Sequence, residues 1–295
     1  MDRIEAMRTL VSVIHEGSFT RAAERLSMSP QLVSKYVAQL EEHLGVRLLN
    51  RTTRRIHLTE AGERYVQQAQ QILSDIDDME SQAGDLQAQA RGLLRIAAPV
   101  SFASLHLAEP LVLFQQSHPD VGIDLQLNDR KVDIIDEGFD VALRIGHLKD
   151  SSLVARKLTD IRLAYCASPE YLKKYGEPAS VAELPQHRFL HYSYMEDEQL
   201  RQAGIQGSNQ FSCNNGEVLN NAAIAGAGIV MQPTFISGPA LADGRLVEIL
   251  KQEAPESIAL YAVYAHRTLL SSKVRAFIDS LSDYFSVTPR WEGNN

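Results

Sequence analysis

Four arginines, Arg47, Arg51, Arg54 and Arg55, fall within nine residues, and no acidic side chain occurs from His43 to Thr59. Guanidinium groups gathered without counter-charges suit a polyanion, because each can fork onto a phosphate or enter a groove of negative potential. A face that needs only to be wetted has no reason to segregate charge in this way. Residues 1–59 hold nine basic and six acidic side chains, whereas the remaining chain holds twenty and thirty-one, for a total of −8. A nucleic acid meets the local charge, not the total.

These arginines need elements to position them. "VRLLNRTTRRIHLT" alternates apolar and polar residues on both sides of "NRTTRR", as a short hairpin does, and puts Arg51, Thr52, Thr53, Arg54 and Arg55 at its tip. Upstream, Ile4, Met7, Val11 and Ile14 recur at helical spacing, with Gly17 as the stop. Ser18 can cap a second helix that has Phe19, Ala22, Ala23 and Leu26 on one face. After "SMS", Ser29 and Pro30 open a third, whose apolar stripe is Leu32, Val33, Tyr36, Val37, Leu40 and Leu44 before Gly45. Opposite that stripe, Gln31, Ser34, Lys35 and Gln39 can reach base edges in a major groove. Two helices across a tight turn also describe an ordinary helical hairpin; the basic hairpin that follows moves the reading to a winged helix-turn-helix.

The ordered run "GSFTRAAERLSMSPQLVSKYVAQLEEHLGVRLLNRTTRRIHLTEAG" resembles the N-terminal domain of the LysR-type transcriptional regulators. The resemblance rests on Ala22–Ala23, on S-x-S-P-x-x-V-S, on L-E-x-x-L-G-V-x-L from Leu40, and on R-T-T-R-R…L-T-x-A-G ending at Gly62. It implies double-stranded DNA as partner, read at a pseudo-palindromic site through Ser29, Pro30, Gln31, Ser34, Lys35, Gln39 and the wing. Lys35-Tyr36 stands where many relatives carry Arg-Gln, so base preference does not transfer.

From Glu60 to Pro99 there is no proline, and Ala69, Ile72, Ile76, Met79, Ala83, Leu86 and Ala90 alternate steps of three and four. That is a heptad seam, which a monomer could bury against its own body and two chains could share. The resemblance favours a homodimer joined through Ile72, Ile76, Met79 and Leu86, or a tetramer of two dimers. We divide the chain into a DNA-binding domain at 1–59, a linker helix at 60–90 and an effector domain at 91–295.

Beyond Gly92, strand-like runs ("LLRIAAP", "VGIDLQLN", "DVALRIG", "IRLAYCAS", "HRFLHYSY", "GIVMQP") alternate with helical ones, the pattern of an α/β sheet. The resemblance implies two lobes like those of periplasmic binding proteins, one at 92–161 with 267–295 and the other at 162–266. A small-molecule effector would lie between them. Ser101, Phe102, Asn214, Asn215 and Gly216 stand where helices begin, and Gly146 and His147 follow a strand. Helix N-termini offer N–H donors, which points to a carboxylate, although Ser101 and Asn214 can equally be plain caps. Arg144, mid-strand, could bind an anion or serve as a structural ion pair, and the structural role is the favoured reading. His191, Tyr192 and Tyr194 could add aromatic contacts.

Other functions fare worse. No G-x-S-x-G, P-loop, H-E-x-x-H or metal-ligand spacing is present, so no catalytic residue, cofactor or metal is expected. The start "MDRIEAMRTL" lacks an export signal and no 18-residue apolar run occurs, which argues against a transport-related binding protein and for a cytoplasmic one. RNA polymerase is a further partner that the resemblance implies. Cys166 and Cys213 leave redox sensing open beside the commoner role of buried thiols.

Overall fold

The computed structural model describes residues 2–51, 56–84, 90–147, 153–194, 211–265, 270–286 and 291. The chain divides into two compact units, Met1–Leu93 with Ile135–Gly138, and Leu94–Ile134 with Phe139–Asn295.

In the first unit, α1 (Arg3–Glu16) is capped by Asp2, whose carboxylate accepts from Ile4 and Glu5, and ends at Gly17 with φ 61°. Ala6, Leu10 and Val13 are its buried apolar residues, while Ile4 is exposed. The stripe expected from Ile4, Met7, Val11 and Ile14 is therefore displaced, because α1 packs against three helices and the small Ala6 and Thr9 face them. Helices α2 (Phe19–Arg25) and α3 (Pro30–Leu44) follow, and the buried Ala22 and Ala23 allow α2 to lie close. The turn between them closes through Ser27, which takes φ 54°, and the bond from Met28 N–H to Ala23 C=O. Strands β1 (Leu49–Arg51) and β2 (Ile56–Leu58) pair antiparallel. Helix α4 (Glu60–Gly84) then buries Val66, Ala69 and Leu73, with Val66 in the core of this unit.

In the second unit, one sheet has the order β4-β3-β5-β12-β6, with β3 (Gly92–Ala98), β4 (Val121–Leu127), β5 (Val141–Gly146), β6 (Leu153–Ile161) and β12 (Ile258–Ala265). The other has the order β11-β7-β10-β8-β9: β7 (Leu163–Ala167), β8 (Phe189–Tyr192), β9 (Ser212–Cys213), β10 (Ile229–Pro233) and β11 (Val247–Ile249). Helix α5 (Val100–Phe102) runs through a π-helical turn, Ala103–Leu107, into α6 (Ala108–Ser117). Helices α7 (Pro169–Tyr175), α8 (Gly216–Ile224) and α9 (Thr234–Ala242) belong to the second lobe. Helix α10 (Ser272–Ser286) buries Val274, Phe277, Ile278, Leu281 and Phe285, as its amphipathic spacing predicts.

The expected lobe boundary at 266 needs correction. Strand β12 pairs antiparallel with β5 and β6, so 258–265 belongs to the first lobe. Strand β6 escaped the sequence reading because Arg156, Lys157 and Asp160 interrupt its alternation; such charges are usual on an edge strand. The chain passes between the sheets at Arg162, whose carbonyl accepts from both Thr234 N–H (2.9 Å) and Thr234 Oγ1 (3.1 Å), and returns between Ile249 and Ile258. Among the described residues no helix is long and apolar enough to cross a membrane.

Lys273 on α10 is 1% exposed, with Nζ 3.6 Å from Asp140 Oδ2, which also accepts from Arg95 N–H at 2.9 Å. Removing the carboxylate by Asp140→Ala should destabilise the protein by about 3–5 kcal/mol in urea unfolding, and the paired change Asp140→Asn, Lys273→Met should restore most of the loss.

Candidate nucleic-acid interface and effector cleft

Helix α3 presents its N-terminal turns. Ser29 Oγ accepts from Leu32 N–H at 3.2 Å and Pro30 occupies the first helical position. Val33, Val37 and Leu40 anchor the opposite side in the core. Ser29, Pro30, Gln31 and Lys35 are exposed, and Ser34 and Gln39 are half-buried. The structure thus brings all six sequence-predicted helix residues to one helix, four of them openly accessible. Leu32, assigned by periodicity to the apolar stripe, is 37% exposed between them, as is Leu44 near the other end. Periodicity alone hides this exposure of Leu32 beside Gln31 and Lys35.

The wing is held at its base. Thr59 Oγ1 donates to Arg47 C=O at 2.7 Å and accepts from Gly62 N–H at 3.0 Å. A Cβ at Gly62 would stand 2.1 Å from the Leu48 carbonyl oxygen, so only glycine fits. Arg51 pairs with Ile56 in the β1–β2 ladder. Thr52, Thr53, Arg54 and Arg55, and the side chain of Arg51, lie outside the described residues. On α4, Ile72 is 45% exposed and Ile76 half-buried, whereas Ala69 is buried within its own chain, which removes it from the seam. Leu86 and the side chain of Met79 lie outside the described residues.

In the second unit, Ser101 is buried and its Oγ has no hydrogen-bond partner among the described residues. Phe102 does not line a cleft through its side chain: the ring is fully buried among Phe235 (5.4 Å), Phe285 (5.8 Å) and Trp291 (5.9 Å). Beside it, a ring nitrogen of His106 donates to Phe235 C=O at 3.0 Å, and burial holds this imidazole below its ordinary pKa. Asn215 Oδ1 accepts from Val218 N–H at 3.0 Å and caps α8, while Asn214 is exposed. Gly216 packs so tightly on Ile236 that a Cβ would come within 2.6 Å of its Cδ1. Gly146 ends β5 with φ 135°, and His147 is exposed. Arg144 donates to Val132 C=O, a structural use.

Asp129 was missed. Its carboxylate accepts from Val100 N–H at 2.9 Å, filling one of the donors that the sequence reading left for an effector carboxylate. Burial, and secondarily the Glu217 carboxylate, raise its pKa, although the bond to Val100 opposes the shift. Burial with Asp129 nearby also pushes the Tyr192 phenol up. Asp129 follows β4 as Ser101 follows β3, so the strand-end rule that found Ser101 was available for it.

The profile "Bacterial regulatory helix-turn-helix protein, lysR family" matches residues 4–63, and "LysR substrate binding domain" matches residues 87–286. The chain belongs to the LysR family of transcriptional regulators. It is 40% identical over 281 residues to an uncharacterized HTH-type transcriptional regulator of Haemophilus influenzae, an alignment covering 93% of this chain and 98% of the relative. It is 36% identical to the HTH-type transcriptional regulator CrgA of Neisseria meningitidis serogroup C, over 94% and 95% of the two chains. The solved structure of CrgA, a LysR-type transcriptional regulator from that species, superposes with a TM-score of 0.57 at 33% identity, covering 95% and 98%. This LysR-type protein is accordingly a DNA-binding regulator with a substrate-binding domain, not an enzyme.

The regulator's two cysteines lie in one apolar cluster but on separate strands, Cys166 on β7 and Cys213 on β9. Strands β10 and β8 intervene, so three inter-strand steps separate them, roughly 14 Å at about 4.8 Å per step. A disulfide tolerates a Cα separation of only about 7 Å. Burial pushes the Cys166 thiol up to about 12, which leaves it protonated and unreactive at neutral pH. A thiol reagent at pH 7.5 should label Cys213 in the folded protein and Cys166 only after denaturation, and mild oxidation should yield no Cys166–Cys213 cross-link by mass spectrometry.

Proposed function

We propose that this LysR-type protein is a cytoplasmic, sequence-specific regulator that reads a pseudo-palindromic DNA site as a dimer or a tetramer of dimers, under control of a small molecule held between its two lobes. The observation that carries the DNA reading is the polar, accessible face of α3, with Gln31 and Lys35 exposed opposite Val33, Val37 and Leu40 in the core. Gln31, Ser34 and Lys35 supply base discrimination, and Arg51, Arg54 and Arg55 supply phosphate and groove contacts. Residues 1–59 form the DNA-binding domain, 60–90 the dimerising linker and 91–295 the effector domain. Ile72, with Ile76, Met79 and Leu86, joins two copies; the exposure of Ile72 supports this. RNA polymerase is the partner at the promoter.

For the effector, the buried hydroxyl of Ser101, without a partner among the described residues, is the strongest support. Because Asp129 already occupies Val100 N–H, an effector carboxylate belongs at Ser101 and the N-terminal end of α8, beside Asn214, Asn215 and Gly216, with Gly146 and His147 as a further wall. Binding that favours one lobe arrangement over the other shifts the subunits and the spacing of their DNA contacts.

The test is fluorescence anisotropy on a selected operator fragment across a salt series. Lys35→Ala should lose discrimination between operator and random DNA by about 1–3 kcal/mol. Arg54→Ala should weaken both, with a salt slope reduced by about 1 for one lost phosphate contact. Ser101→Ala should bind operator normally yet respond to no carboxylate that alters wild-type binding. Equal losses on both DNAs for Lys35→Ala would remove it from the base-reading set.

A further inference from the structure

Glu41 lies on α3 outside the set assigned to bases, and its carboxylate serves another element. Its Oε1 accepts from Leu48 N–H at 2.8 Å and from Leu49 N–H at 3.0 Å. These successive amides lead into β1, the first strand of the wing, and both leucine side chains are buried. Leu48 precedes β1 and Leu49 opens it, and one anionic oxygen collects both amides. On the carbonyl side, Thr59 holds the same stretch, with its hydroxyl on Arg47 C=O and its N–H on Leu48 C=O at 2.9 Å. The wing is thus tied to the recognition helix through Glu41 and to the start of α4 through Thr59.

A winged helix binds well only when helix and wing meet the same DNA together. If the wing is fixed relative to α3, the second contact forms at high effective concentration; if it is loose, that advantage falls away without loss of any DNA-contacting group. We propose that Glu41 is the positioning residue that sets the wing against the recognition helix, so that it governs DNA affinity and salt dependence without touching DNA. The inference rests on the wing being a DNA contact. A carboxylate is a costly neighbour for phosphates, and two amide dipoles on one oxygen offset that cost.

The experiment is a double-mutant cycle in the full-length protein, on an operator fragment, with affinity measured across a salt series. Glu41→Ala should weaken binding by about tenfold and flatten the salt slope, since wing contacts are lost. Glu41→Gln, which keeps an acceptor oxygen, should stay within about threefold of wild type. Combined with Arg54→Ala and Arg55→Ala, Glu41→Ala should add little beyond the arginine changes, because both remove the same contacts. Losses that multiply in the combined variant, or an unchanged salt slope in Glu41→Ala, would overturn the proposal. If Glu41→Ala unfolds the domain, Glu41→Asp, which keeps the charge but shortens the reach, enters the same cycle with the same expected and contradicting results. Wild-type binding by the double arginine variant carries a different signature: the wing reading itself then fails, and Glu41 has nothing to position.

Discussion

A helix can offer one face to DNA only if its other face is held, and the burial of Val33, Val37 and Leu40 does this for α3. Each such side chain contributes about 1.5–3 kcal/mol when fully buried. The residues that form their seat, Ala6, Leu10 and Val13 of α1 with Ala22 and Ala23 of α2, explain why the helix-turn-helix needs small residues at the pair 22–23. Val66 of α4 enters the same cluster, so the helix that carries Ile72 is rooted in the core that orients α3. The proposed dimer contact at Ile72 and the proposed base-reading face of α3 therefore rest on one set of packed side chains.

The effector domain follows a different logic. Two sheets are each complete in themselves, and the chain joins them at Arg162 and again between Ile249 and Ile258. The outward passage is anchored by Thr234 on the Arg162 carbonyl and by the ion pair of Arg162 with Glu248. On the return, Leu250 takes φ 53°, a conformation uncommon outside glycine. Between the lobes, Phe102 and Phe235 pack edge to face while Ser101 keeps a buried hydroxyl without partner among the described residues. Apolar contact on one side and unused polar capacity on the other is the arrangement expected of a domain that responds to a ligand.

Much of this was legible in the sequence, for identifiable reasons. Caps and stops gave the helix ends of the first unit: Ser18 and Ser29 accept first-turn amides, and Gly17 and Gly45 adopt the left-handed conformation. In the second unit the cap is Asn215 and not the expected Asn214, and Ser101 lies inside its helix without capping it. Periodicity gave α10 its buried face, but it misplaced that of α1 and hid Leu32, because it records apolarity and not which neighbours are present. Charges on the edge strand β6 masked its alternation, and β12 joined the first sheet through pairing partners distant in sequence, which no local pattern encodes. Glu41 shows the same limit: it acts on the amides of Leu48 and Leu49, outside its own helix, and only folding brings them together.

Binding selection on genomic fragments tests the central claim most directly. The purified full-length protein is incubated at moderate salt with fragmented DNA from its own source, with and without pooled metabolites, and the retained fragments are sequenced. The account predicts enrichment of a pseudo-palindromic site whose half-sites fall on one face of the duplex about one helical turn or its multiples apart. Retention that follows fragment length alone and vanishes with salt, in both conditions, would contradict it.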